Sequence, residues 1–114
     1  MDRKELEILA ADVMARQLLR SGTGIGALYR EAARAETRRD FVHKVTLGAK
    51  EAAETEYWLD LFVESGIGEA GELQSLKKEA DELLRILLAS GKTARARLRS
   101  KARPVRRGSS APAP

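Results

Sequence analysis

Residues 20–29, Arg20-Ser21-Gly22-Thr23-Gly24-Ile25-Gly26-Ala27-Leu28-Tyr29, decide the fold. Gly22, Gly24 and Ala27 fit the G-x-G-x-x-G/A spacing that cradles a dinucleotide pyrophosphate. That motif works only between a strand and a helix, with an acid about 20 residues further on to hold the ribose. The residues ahead of Gly22, "ARQLLRS" (15–21), do not alternate like a strand and are helical in pattern and propensity. Asp40 lies near the required distance but opens a helix, and no Gly-Lys-Ser/Thr follows to make a Walker loop. The stretch therefore reads as helix. Three glycines inside a helix cost about 0.5–1 kcal/mol each against alanine unless close packing offsets them. The small residues at 21, 22, 24, 26 and 27 are expected to admit a neighbouring backbone.

The helical stripe extends both ways from there. Upstream it holds Leu6, Leu9, Ala10, Val13 and Met14, with Asp2 as N-cap and Glu5 placed for a capping box; downstream it passes Leu18, Ile25, Tyr29 and Ala32. A second helix opens at Thr37, and Phe41, Val45, Gly48, Ala52, Thr55, Leu59 and Phe62 follow in steps of 4, 3, 4, 3, 4, 3, an unbroken heptad seam. Val42, Ala49, Ala53 and Trp58 add a second apolar flank. "SGIGEAGE" (65–72) breaks the pattern. A third helix carries Leu73, Leu76, Ala80, Leu83 and Leu87 with Leu84 and Leu88 beside them, and is expected to run to about Ser90-Gly91 and fray onward through "KTARARLRS". From Pro104 the chain has almost nothing to bury and reads as a disordered tail. The expectation is an all-α, antiparallel bundle of long helices over residues 1–91, followed by a basic, partly disordered segment over 92–114.

Composition narrows the function. The chain has 114 residues, 43% hydrophobic, 33% charged and only 4% aromatic, with no cysteine, so neither disulfides nor thiolate metal sites are available. The N-terminus is charged where a signal peptide needs an apolar run, which points to a cytoplasmic location away from membranes. The net charge of +4 hides an asymmetry. Residues 1–82 hold all 17 acids against 12 bases, a net of −5, whereas residues 83–114 hold nine bases and no acid.

Two stretches carry a family likeness. "QLLRSGTGIGALYREA" (17–32) and "DFVHKVTLGAKEAAETEYWLDL" (40–61) resemble the 23S rRNA-intervening sequence proteins, through Gln17–Gly26, Glu31-Ala32, Asp40-Phe41, Lys44, Lys50-Glu51-Ala52, Glu54-Thr55 and Tyr57-Trp58-Leu59. The resemblance implies a four-helix bundle that assembles into a ring, usually a pentamer, without catalytic activity. It also implies kinship in fold with accessory proteins of diversity-generating retroelements, whose partners are nucleic acid and a reverse transcriptase. Family members carry another helix ahead of the "QLLRSG" segment. Only about 15 residues precede it here, so either the chain begins late or its bundle is completed differently. Gly68-Glu69 stands where the family has Leu-Thr/Ser, which is expected to weaken the cap of the last helix.

No catalytic constellation stands out. His43 is the lone histidine and sits beside Lys44, as a solvated residue would; the Glu-x-x-His motif of di-metal bundles is absent, and Lys50 and Glu54 read as a surface i,i+4 pair. Trp58 adjoins the seam and reads as a packing anchor rather than a base-stacking platform. The sequence therefore supports a non-enzymatic, self-associating helical scaffold needing no cofactor, metal or small-molecule substrate. Its packing and oligomer interface would be formed by Gly22, Ile25, Gly26, Phe41, Val45, Gly48, Ala52, Trp58 and Leu59. The alternative is an RNA- or DNA-binding accessory protein acting through Lys92, Arg95, Arg97, Arg99, Lys101, Arg103, Arg106 and Arg107.

Overall fold

The computed structural model of the chain describes residues 1–102. They form three α-helices: α1 (Arg3–Ala33), α2 (Arg38–Ser65) and α3 (Ala70–Ala102). There is no strand among the described residues. The glycine-rich stretch is uninterrupted helix inside α1. Its start is fixed by a capping box: Asp2 accepts from the Glu5 backbone N–H at 2.8 Å and Glu5 accepts from the Asp2 N–H at 3.0 Å. Thr37 caps α2 by accepting from the Asp40 N–H at 3.0 Å, and Gly66, with φ +70°, ends it in the left-handed conformation that glycine adopts without strain.

The start of α3 differs from expectation. The Glu69 side chain substitutes for the missing Ser or Thr, accepting from the Glu72 N–H at 2.6 Å. Backbone donors of Glu72 and Gly71 hold that carboxyl below its ordinary range. At its other end α3 continues through Gly91 to Ala102 rather than stopping near residue 91, because Gly91 and Ala94 are buried against the bundle. The expected disorder beyond Pro104 lies outside the described residues, as do Arg103, Arg106 and Arg107.

Helix α2 is the centre of the molecule. It packs along both α1 and α3, and those two do not pack on each other. Its heptad seam is the core: Val45, Gly48, Ala52, Thr55, Leu59 and Phe62 are all buried, with Phe41 half-buried at one end. One cluster joins Ile25 and Ala32 of α1 to Val45, Ala49 and Ala52 of α2 and Leu87 of α3. A second joins Met14 to Leu59, Phe62, Leu73 and Ala80, with Trp58 packed against it. The resemblance implied four helices; the described residues supply three. The result is an elongated body, 75 × 23 × 20 Å, with an open side between α1 and α3.

Candidate functional site

Residues of the "QLLRS" and "KEAAETEYW" stretches meet across the α1–α2 contact. Arg20 donates through Nε to Gln17 at 3.1 Å, through Nη1 to Glu51 at 3.4 Å and through Nη2 to Glu54. Trp58 Nε1 donates to the same Glu54 carboxylate at 3.4 Å. The hydrogen bond from Arg20 holds the Glu54 carboxyl below its ordinary pKa, and raises that of the guanidinium. Glu54 therefore serves α1 rather than pairing with Lys50. Gly24 gives this clamp room, since a Cβ there would lie 3.3 Å from Glu51 Cδ. One turn inward, the buried Thr55 hydroxyl donates to the Ser21 hydroxyl at 2.9 Å, and Ser21 donates to the Leu18 carbonyl at 3.2 Å.

This geometry has the chemistry of a helix clamp. The carboxylates are engaged by a guanidinium, His43 is exposed, and among the described residues no three His, Cys, Asp or Glu side chains gather to hold a metal ion. No described helix is long and apolar enough to cross a membrane. A comparison of the whole pattern with known families is decisive: the model of the 23S rRNA-intervening sequence proteins matches residues 3–89. The chain belongs to this family. A crystal structure of a protein of unknown function from the S23 ribosomal protein family of Bacteroides thetaiotaomicron is similar, with 41% identity and a TM-score of 0.68 over 70% of this chain and 74% of that one. No match is found among curated proteins. Beyond the clamp, two surfaces are candidates for function.

The first is the open side of the bundle. A groove of about 330 Å³ runs between α1 and α3 over the floor made by Thr55 and Leu59 of α2, walled by Leu18, Gly22 and Ile25 on one side and Leu76, Ala80 and Leu83 on the other. Leu76 and Leu83, expected in the core, stand exposed on its rim. The glycines meet a mixed fate. Gly48 packs as expected, since a Cβ there would lie 3.4 Å from Leu87 Cδ1; Gly22 and Gly26 have nothing of their own chain within 4 Å of that position. Within one chain, their smallness is unused. Of the nine expected interface residues, Ile25, Val45, Gly48, Ala52 and Leu59 are consumed by the internal core, and Phe41 and Trp58 pack against it half-buried.

The second surface is the end where α1 turns into α2. A hollow of about 850 Å³ is lined by Glu36 and Thr37 from the turn, by Arg38 and Phe41 from the start of α2 and by Ser90, Thr93 and Arg97 from α3. Arg34 in the turn and Arg39 in the first turn of α2 lie nearby in the chain, and Arg95 reaches back to donate to Thr46 at 2.9 Å. The structure therefore adds Arg38 to the basic set read from the sequence. Only knowledge of which end of α2 meets the tail of α3 could have found it.

Proposed function

We propose that this protein is a non-enzymatic, self-associating helical scaffold. The observation that supports the reading is the uncovered apolar wall of the groove, with Leu76 and Leu83 exposed across from a Gly22 whose Cβ position meets nothing of α2 or α3 within 4 Å. An apolar face of this kind on a small protein marks a surface that another polypeptide covers. Leu76→Glu with Leu83→Glu tests it. Both side chains already face water in the single chain, so helicity by circular dichroism is expected to hold while sedimentation reports dissociation. Unchanged sedimentation would overturn the proposal.

A second reading is supported by the convergence of Arg38 and Arg97 on one hollow. In it, the basic end and the segment carrying Lys92, Arg95, Arg97, Arg99 and Lys101 bind the phosphates of RNA or DNA through their charge, with little sequence preference.

A further inference from the structure

The basic run of α3 holds no aromatic residue of its own, and the fold brings one to it. Phe41, half-buried in the first turn of α2, lines the hollow at the α1–α2 end together with Ala32 of α1 and Ala94 and Leu98 of α3. Thr37, Ser90 and Thr93 add hydroxyls, and Arg38 and Arg97 add two guanidiniums. Among the described residues neither of these arginines is in an ion pair, whereas Arg20, Lys44 and Lys77 each hold a carboxylate. Arg38 is nevertheless half-buried. Drawing a charge part-way out of water without a counter-ion is unfavourable, so its placement favours an anion arriving from outside. Glu36 is the one acid on the lining, and it is exposed. Two cations against one carboxylate leave the hollow a net +1, which a single phosphodiester balances.

We propose that this hollow receives one unpaired nucleotide of an RNA or DNA strand, its base against Phe41 and its phosphate between Arg38 and Arg97. The proposal rests on the nucleic-acid reading above and specifies the form of nucleic acid that the site takes. An inorganic anion alone would leave the half-buried Phe41 ring without a partner, and a purely apolar ligand would leave Arg38 without one. A nucleotide joins both chemistries, because every base has a π-face that stacks on an aromatic ring or a guanidinium plane whatever its identity. Size agrees: about 850 Å³ falls within the roughly 300–1,000 Å³ of sites that enclose small molecules. A base held in a duplex must first be unstacked and unpaired to enter such a hollow, whereas an unpaired one escapes most of that cost. Lys92 and Arg99 stand exposed on the same stretch of α3, which favours a strand over a free nucleotide, since they can meet the phosphates on either side.

Fluorescence anisotropy of the full chain with two short RNA duplexes at one salt concentration tests this. One duplex is fully paired, and the other carries a single bulged adenine. The bulged duplex is expected to bind roughly tenfold more tightly, the worth of one stacked base. Phe41→Leu keeps an apolar side chain in the core and removes the ring; it is expected to abolish most of that preference and to leave the affinity for the paired duplex unchanged. Thr93→Leu fills the hollow from an exposed position and alters no charge, so it is expected to do the same, and it decides alone should Phe41→Leu fail to fold. Equal affinity of the unaltered chain for the two RNAs overturns the proposal and leaves the charge-driven reading standing. So does a preference that survives Thr93→Leu or a folded Phe41→Leu. If neither RNA binds, both fall.

Discussion

Thr55 and Ser21 are the polar pair at the centre of an otherwise apolar α1–α2 contact, and both are buried. Thr55→Val keeps the shape and removes the hydroxyl, leaving Ser21 its bond to Leu18. It is expected to cost about 1 kcal/mol, read as a fall in melting temperature of roughly 4–8 °C for a domain of this size. Glu56 behaves oppositely to Glu54. Burial, followed by the nearby Asp81 and Asp60 charges, raises its pKa, and its Oε1 is buried without a hydrogen-bond partner. A carboxyl whose folded pKa is raised leaves the native state holding more protons than the unfolded chain. Its contribution to stability is therefore present below the ordinary carboxylate value of 4.5 and is lost as pH climbs through the raised value. Glu56→Gln is expected to raise the melting temperature at neutral pH, with the gain shrinking toward pH 4. A loss at neutral pH would contradict this assignment.

At the scale of the element, α2 was almost fully legible, because a heptad of Phe41, Val45, Gly48, Ala52, Thr55, Leu59 and Phe62 leaves one face to bury and the structure buries it. Leu59 is 1% exposed at the middle of that face, and Leu59→Ala is expected to destabilise by about 2–5 kcal/mol in a chemical denaturation series. Helix α1 was legible in extent but not in the fate of its glycines. A stripe of small residues signals close approach without saying whether the neighbour is the same chain: in α1 Gly24 meets Glu51 of α2, as Gly48 of α2 meets Leu87, whereas an added Cβ at Gly22 or Gly26 would meet nothing beyond its own helix. Helix α3 was legible least. Its heptad of Leu73, Leu76, Ala80, Leu83 and Leu87 looks uniformly apolar, yet with three helices only one side is covered, which exposes Leu76 and Leu83. Its cap is stronger than Gly68-Glu69 suggests, because Glu69, with one more methylene than Asp, still reaches the first turn. Gly66→Ala, which forces a Cβ into a left-handed position, is expected to cost about 1 kcal/mol at the α2 terminus.

At the scale of the whole molecule, charge and shape are both lopsided. In sequence the acids end at Glu82, while Arg97 of α3 and Arg38 of α2 line one hollow at one end of the rod, with Glu36 beside them. If that end binds nucleic acid, Arg38→Glu with Arg97→Glu should weaken binding to a structured RNA and flatten its dependence on log salt concentration by about 0.7–0.9 per lost phosphate contact, without changing helicity. An unchanged slope would leave the second reading without support. The first reading stands on shape. An elongated chain elutes early whatever its mass, so the decisive quantity is mass itself. Multi-angle light scattering of the full chain at low micromolar concentration is predicted to give twice 12.5 kDa or a higher multiple. A monodisperse 12.5 kDa species would contradict it.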